Sequence, residues 1–428
     1  MTDPKPDNPP RTLSSPTPAG ERNPVIDILR GFAVFGILLV NFPGSDAARG
    51  GAADDTVRRL LSIFVSGKFY TTFSFLFGLG FALQLLRAQA AGRRVVPVYI
   101  RRMLALFLIG LGHAILVWQG DVLLVYAVMG LFLIPLRKAP AKILLSLAAL
   151  VLVGEYFIWI SEEPFRVSDV VPRVVDPQLE QETELQKTLV FNEIRDAGRQ
   201  LRAATRTGSY LDAVIARFHM WRLSNQFLFR YIWLSSFAMF LIGLCAGRSG
   251  LLGSPPARPG LIRRVMWVCL PIWIGLGVLT TYGPQLLGPL YFKIHWKALT
   301  VAWVLQCPAG SLFYISAIVS LLAARAGWIS KLAPLGAVGR MPLSNYLFES
   351  VAGTLLYYGY GLGLQLVLGK LSGFLLAIGV FAVQIAVSRY WLRRFQYGPF
   401  EWLWRSLTYG RFQPMRPNHA ASQSGSSG

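Results

Sequence analysis

The sequence has little of what soluble enzymes use for chemistry. Its 428 residues include only 21 aspartates and glutamates, four histidines and three cysteines. The cysteines, Cys245, Cys269 and Cys307, fall inside apolar stretches without metal-ligand spacing, so we expect free thiols, no disulfide framework and no metal site. The chain has no Walker loop, nucleophile elbow, zinc-protease motif or paired-carboxylate cluster. These absences exclude the common classes of soluble enzyme.

Apolar residues, in contrast, are abundant. They make up 54% of the chain, against 15% charged residues. Apolar runs of about 20 residues recur throughout and predict an all-α polytopic membrane protein with about ten transmembrane helices. The predicted spans cover residues 25–42, 68–87, 98–118, 121–137, 141–160, 224–247, 262–281, 298–323, 334–359 and 363–388.

The net charge of +21 reflects where the arginines and lysines lie along the chain. With a cytoplasmic N-terminus, most of them fall in inner loops and the C-terminal tail, and few fall in outer connections. This bias predicts that both termini are cytoplasmic. Anionic lipid headgroups are the expected partners of the basic loops, and nucleic acid is not.

Three regions lie outside the predicted transmembrane domain, which covers residues 23–416. Residues 1–22 are rich in proline, serine, threonine and asparagine, which predicts a disordered cytoplasmic tail. Residues 161–223 form a long outer insertion with mixed charge at helical spacing, so amphipathic helices are expected there. Residues 417–428 are expected to form a flexible C-terminal tail.

Polar residues inside the spans are the candidate site residues, because ionisable groups in a bilayer are costly unless they pair or face a polar cavity. Asp27 and Arg30 are three residues apart on one face of the first helix. Asn41 returns to nearly the same face about 21 Å further along. These residues either clamp neighbouring helices together or line a site.

The second span begins at Lys68 and contains Gly78 and Gly80. Lys68 is either a substrate-binding group or a cation that extends to the membrane interface. The two glycines predict close packing against another helix.

The third and fourth spans are joined by a tight turn that contains two titratable residues. His113 lies about one and a half turns before the end of its helix, and Asp121 begins the next helix. A neutral imidazole can act as a general base when a polar group orients its other nitrogen. The alternatives are a histidine hydrogen-bonded to a neighbouring helix and an aspartate that only caps a helix.

The ninth span contains Arg340, Asn345 and Glu349. Asn345 and Glu349 are four residues apart and share a helix face. An intramembrane glutamate is a functional candidate, and its expected partner is Arg340 or Arg30. Beyond the tenth span, residues 397–410 predict a short amphipathic helix at the membrane interface.

Several of these segments together resemble the YeiB-like family of bacterial membrane proteins, which contains the domain of unknown function 418. The matching segments are residues 27–41, Lys68-Phe69 with residues 73–78, His113-Ala114 with Gly120-Asp121, residues 339–346 and residues 398–405. The resemblance extends over most of the chain and implies a bacterial inner-membrane location. Glu349 departs from it, because an amide is expected at that position.

The first helix is also distantly similar to that of membrane acyltransferases of the heparan-glucosaminide acetyltransferase type. This similarity implies acyl transfer from acyl-CoA, with Asn41 matching an asparagine implicated in the reaction. The histidine that follows in those enzymes has no counterpart, because no histidine occurs between residues 42 and 112. His113 would therefore have to supply the base from another helix.

Two functions are compatible with this pattern. In the first, cytoplasmic acyl-CoA donates an acyl group to a polar acceptor, a glycan or lipid headgroup, at the outer face. His113 is then the base, Asp121 orients it and Asn41 stabilises the oxyanion. The second is a transporter or exporter of a small metabolite or lipid. The predicted substrate-binding residues are Asp27, Arg30, Lys68, Arg340, Asn345 and Glu349. The oligomeric state is left open, with a homodimer as one alternative.

Overall fold

The computed structural model describes residues 22–42, 51–92, 94–161, 177–227, 230–253, 256–288 and 296–416, which form helices and turns without a strand. The predicted all-α class is therefore confirmed for these residues. In chain order the helices are α1 (Pro24–Asn41), α2 (Ala52–Phe64), α3 (Lys68–Ala90), α4 (Val96–Leu116), α5 (Leu123–Leu131), α6 (Leu133–Leu136), α7 (Ala141–Ser161), α8 (Pro177–Thr207), α9 (Tyr210–Phe227), α10 (Arg230–Arg248), α11 (Pro259–Leu287), α12 (Trp296–Ala324), α13 (Gly327–Lys331), α14 (Ala333–Arg340), α15 (Pro342–Tyr357), α16 (Lys370–Arg394) and α17 (Pro399–Tyr409). The expected tails lie outside the described residues, except for Arg22.

Six helical segments in the described part of the chain are long and apolar enough to cross a membrane. They are Pro24–Asn41, Ala52–Ala90, Val96–Leu116, Pro259–Leu287, Val301–Ala324 and Lys370–Arg394. Each of them overlaps a span predicted from the sequence. The chain is therefore a multi-pass membrane protein.

Two predicted spans are not continuous helices. The fourth is interrupted at Phe132, between α5 and α6, and the ninth at Met341, between α14 and α15. The spans predicted over residues 121–137 and 334–359 therefore each comprise two helices rather than one. At the second break the physical reason is Pro342, which has no N–H to continue a helix but fits its first position.

A close crossing of α1 and α14 brings the charged end of α1 next to the Met341 break. A Cβ atom on Gly31 would lie 2.0 Å from the carbonyl oxygen of Leu335, and one on Gly339 would lie 1.8 Å from that of Asp27. The two backbones are thus in contact, which only glycine allows. As a result, Asp27 and Arg340 face the same cavity.

The Met341 break is stabilised by the C-terminal helix α17, at the position where the sequence predicts an interfacial helix. Oε1 of Glu401 accepts hydrogen bonds from the backbone N–H groups of Leu343 at 2.6 Å and Ser344 at 3.1 Å. Burial raises the pKa of the Glu401 carboxyl, while hydrogen bonds from Ser344 lower it. Across the break, Nδ2 of Asn345 donates to the carbonyl of Val338. These bonds satisfy backbone groups that the interruption of the helix leaves free.

Glu401→Ala is expected to lower the free energy of unfolding by about 1–3 kcal/mol, because two buried N–H groups lose their acceptor. Glu401→Gln keeps an acceptor oxygen and should lose less. Thermal unfolding in detergent of the wild type and both variants measures the difference. Equal stability of the alanine variant and the wild type would contradict a capping role for Glu401.

Candidate functional site

The two titratable residues of the α4–α5 turn form a buried pair. Nδ1 of His113 lies 2.6 Å from Oδ2 of Asp121, and each side chain is 1% exposed. Because a carboxylate can only accept, Nδ1 is the donor in this pair, and in the neutral imidazole the basic nitrogen is then Nε2. Nε2 is buried and has no hydrogen-bond partner among the described residues. The pair therefore has the form of an oriented general base.

Asp121 also has the capping role that the sequence offers as the alternative. Its Oδ1 accepts the backbone N–H of Leu124 at 2.8 Å, in the first turn of α5. The carboxylate thus joins the start of α5 to the imidazole on α4. A Cβ atom on Gly110 would come within 3.0 Å of Oδ1, so the glycine leaves room for the carboxylate.

A cavity of about 450 Å³ lies beside this pair, between α1, α3, α4, α15 and α17. Along α1 it extends from Asn23 to Ile37, which corresponds to about 21 Å of helix. Its charged lining comprises six arginines, Arg22, Arg30, Arg87, Arg102, Arg340 and Arg405, against two carboxylates, Asp27 and Glu401. Both carboxylates are engaged, since Asp27 pairs with Arg30 at 3.2 Å and Glu401 caps α15. The cavity therefore carries an excess of positive charge.

The opposite end of the cavity from these charges meets the His113–Asp121 pair. Tyr346 and Val122 line it there, and Val122 directly follows Asp121 in the chain. The ring centroids of Tyr346 and His113 are 5.2 Å apart. The imidazole thus lies immediately behind the wall that Tyr346 and Val122 form.

Tyr126 is a further lining residue that sequence reasoning missed. Its hydroxyl donates to the carbonyl of Tyr70 at 2.7 Å and accepts from Oγ of Ser74 at 3.1 Å. These bonds tie α5 to α3 at the apolar end of the cavity. No sequence motif singles out Tyr126, because its role depends on which helix packs against it.

Arg102 and Trp404 form a second feature that the sequence analysis did not assign. The guanidinium of Arg102 lies 3.8 Å from the centre of a Trp404 ring, and Nε1 of Trp404 donates to the Arg102 carbonyl. Both residues line the cavity. A signal was present, because an arginine inside the predicted third span requires a partner or a polar cavity.

The structure brings three of the predicted substrate-binding residues, Asp27, Arg30 and Arg340, to the cavity. Asn41 lies one turn beyond the lining residue Ile37, on the same face of α1. Lys68 is not among the lining residues. It is fully buried, and its Nζ donates to the carbonyl of Ser62 at 2.8 Å, so it does not extend to the interface.

Asn345 and Glu349 also lie away from the cavity lining. Nδ2 of Asn345 donates to Oγ of Ser388 at 3.1 Å, which joins α15 to α16. Glu349 is fully buried beside Gln384, and neither carboxylate oxygen has a hydrogen bond of normal geometry to a described residue. The predicted pairing of Glu349 with Arg340 or Arg30 is wrong, because both arginines line the cavity, Arg30 pairs with Asp27, and neither carboxylate oxygen of Glu349 contacts them.

The two halves of the chain match different known families. Residues 246–411 match the family described as "Protein of unknown function (DUF418)", and residues 22–172 match the catalytic region of heparan-alpha-glucosaminide N-acetyltransferase. His113, Asp121 and Asn41 all fall within the second match. Glu401 and the Met341 break fall within the first.

Two bacterial proteins are similar to nearly the whole chain. The uncharacterized protein YxaH of Bacillus subtilis is 34% identical over 424 residues, which cover 94% of this chain and 97% of the relative. The uncharacterized protein YeiB of Escherichia coli is 29% identical over 422 residues, which cover 91% and 96%. These similarities confirm the resemblance that the sequence motifs indicate.

Proposed function

Because the chain belongs to the YeiB-like family of membrane proteins that contain the domain of unknown function 418, and its N-terminal part matches an acetyltransferase catalytic region, we propose that it is a membrane-bound acyltransferase. In this proposal it transfers an acyl group from acyl-CoA to a polar acceptor. The observation that carries the proposal is the buried His113–Asp121 pair, whose Nε2 has no partner among the described residues and whose imidazole packs against Tyr346, a lining residue of the arginine-lined cavity.

The cavity suits a donor that is anionic at one end and neutral at the other. Six arginines against two engaged carboxylates leave an excess of four positive charges. The 3′-phosphate monoester of CoA carries about −1.5 to −2 at pH 7 and its diphosphate about −2 more, so the phosphates together match this excess. Arg30, Arg102 and Arg405 would hold the phosphates. The thioester would then lie between Tyr126 and Tyr346.

In the reaction, Nε2 of His113 takes the proton of an acceptor hydroxyl or amine while the acceptor bonds to the acyl carbon. Asp121 holds the imidazole in the tautomer that leaves Nε2 basic and stabilises the imidazolium that forms. His113 returns the proton to the CoA sulfur when the thioester bond breaks. Asn41, one turn beyond the lining residue Ile37, would donate its amide to the acyl oxygen as negative charge develops there, which requires the thioester to lie at the Ile37 end of the cavity.

This mechanism is proposed together with a topology. About ten spans with both termini cytoplasmic would put the arginine end of the cavity on the cytoplasmic side of a bacterial inner membrane. The His113 end would then face the opposite side. The acceptor would be a glycan or a lipid headgroup at that outer face.

Donor binding to the purified protein in detergent tests the proposal. Acetyl-CoA and free CoA should raise the thermal unfolding temperature, and ATP should raise it less. Arg30→Gln should weaken binding of acetyl-CoA about tenfold or more, because a charge-assisted contact to phosphate is lost.

Arg58→Gln is the matched control, since Arg58 lies on α2 and outside the cavity lining. It should bind acetyl-CoA like the wild type. The absence of any shift with millimolar acetyl-CoA would overturn the acyltransferase proposal and favour a transporter.

A further inference from the structure

A fully buried arginine ties the helical connection α8–α9 to the end of α4 that carries His113. Arg217, on α9, is 0% exposed. Its Nη1 donates to the carbonyl of Leu116, the last residue of α4, and its Nη2 donates to the hydroxyl of Tyr360 at 2.9 Å. One guanidinium thus bridges α4 and the turn that follows α15.

Arg217 has no carboxylate partner in the described part of the chain. Instead, its guanidinium lies 5.7–6.0 Å from the ring centres of Tyr210, Tyr358 and Tyr360. Burial of a cation that lacks a counter-charge costs several kcal/mol, of which cation–π contacts recover only part. An apolar side chain would fill the same space without this cost. This points to a role in holding neighbouring elements in place.

Two other contacts join the α8–α9 connection to the C-terminal end of α4 and to the turn after α15. The hydroxyl of Tyr210 donates to the Leu116 carbonyl at 2.9 Å. The backbone N–H of Gly359 donates to the carbonyl of Thr205 at 2.7 Å, and a Cβ atom on Gly359 would lie 2.0 Å from the carbonyl oxygen of Arg206. The ends of α8 and α9 are therefore seated against the membrane helices by specific bonds.

The position of this contact relates it directly to the candidate site. Leu116 is three residues beyond His113, about 4.5 Å along the same helix. Its carbonyl is among those at a helix C-terminus that lack an intrahelical partner. Tyr360 follows α15, which carries Tyr346, the residue whose ring contacts His113. Arg217 thus joins the C-terminal ends of α4, which carries His113, and α15, which carries Tyr346.

We propose that Arg217 is a positioning residue, which fixes α4 against α15 and closes α9 over the His113 end of the site. Its effect on catalysis rests on the proposed acyltransferase function, whereas its effect on the accessibility of His113 does not. The connection closes the site to water while the reaction proceeds.

Labelling of His113 with diethylpyrocarbonate, read by peptide mass spectrometry on the full chain in detergent, tests this directly. The reagent modifies a free neutral imidazole nitrogen, which in His113 is Nε2. In the wild type His113 should react slowly. In Arg217→Gln it should react about tenfold faster or more, because α9 opens more often. Arg217→Lys keeps the charge but replaces the two terminal nitrogens of the guanidinium by one ammonium, and should give an intermediate rate.

Arg222→Gln is the matched control on the same helix. The Arg222 side chain is exposed, and its ion pair with Glu193 is long at 4.0 Å and also exposed. It should label like the wild type. Equal labelling rates in Arg217→Gln and the wild type would overturn the proposal.

An assay of acyl transfer separates this proposal from the acyltransferase function itself. Arg217→Gln should lower kcat and leave donor affinity unchanged, with partial rescue by Arg217→Lys. Faster labelling of His113 in a protein that binds no acyl-CoA would support closure by Arg217 and overturn only the acyltransferase function. Normal kcat in a folded Arg217→Gln variant would overturn the positioning role.

Discussion

His113→Ala is expected to reduce acyl transfer by about 10²–10⁴-fold while acetyl-CoA still binds, because a positioned general base contributes a factor of this size. Donor binding should persist because the arginine end of the cavity lies apart from the imidazole. The measurement is transfer of a radiolabelled acetyl group to membrane glycans and lipids, together with the thermal shift on acetyl-CoA.

His219→Ala is the control for loss of a histidine, since His219 lies on α9 and does not line the arginine-lined cavity. It should transfer acyl groups at the wild-type rate. Asp121→Asn should be slower than the wild type and faster than His113→Ala, because an amide at this position still contacts the imidazole but supplies no negative charge. Full activity of His113→Ala in a folded protein would refute the general-base role.

Much of this site could be predicted from the sequence because its parts are local. His113 and Asp121 are joined by one tight turn, so their proximity follows from the length of the loop. Asp27 and Arg30 are one helical turn apart, and their contact follows from helix geometry. The sequence also predicted two alternative roles for Asp121, orienting the imidazole and capping a helix. In the structure Oδ2 contacts His113 and Oδ1 accepts the N–H of Leu124.

What the sequence could not predict depends on contacts between distant helices. Glu401 caps α15 by accepting the backbone N–H of Leu343, which is 58 residues earlier in the chain. Trp404 donates a hydrogen bond to the carbonyl of Arg102, which is 302 residues earlier in the chain. The break at Met341 has a local signal in Pro342, but its tolerance inside a membrane protein depends on Glu401 and Asn345, which satisfy the freed backbone groups.

The expected partner of Glu349 is wrong for the same reason. When only the sequence of one helix is considered, a buried glutamate is expected to pair with the nearest basic residue. The structure instead has Arg30 and Arg340 in the cavity lining, with Arg30 engaged by Asp27, whereas Glu349 is not among the lining residues. Gln384 of α16, which is 35 positions further along the chain, is the polar group beside Glu349.

Gly78→Ala is expected to destabilise the fold by about 1–3 kcal/mol, and by more if the helices cannot separate. A Cβ atom on Gly78 would lie 2.0 Å from the carbonyl oxygen of Phe240 on α10. Reciprocally, a Cβ atom on Gly243 would lie 2.0 Å from the carbonyl oxygen of Phe75 on α3. Backbone atoms cannot rotate away as a side chain can, so α3 and α10 would have to move apart along their contact.

Gly80→Ala is the matched control, two residues further along α3. The sequence predicts close packing for both glycines, but the structure bears this out for Gly78 alone. A Cβ atom on Gly80 would meet nothing nearer than Nη2 of Arg30, at 4.0 Å. Gly80→Ala should therefore unfold at the wild-type temperature in detergent, and Gly78→Ala several degrees lower. If both variants unfold at the same temperature, the α3–α10 backbone contact does not set the stability of the fold, and the α3 wall of the cavity is held by other contacts.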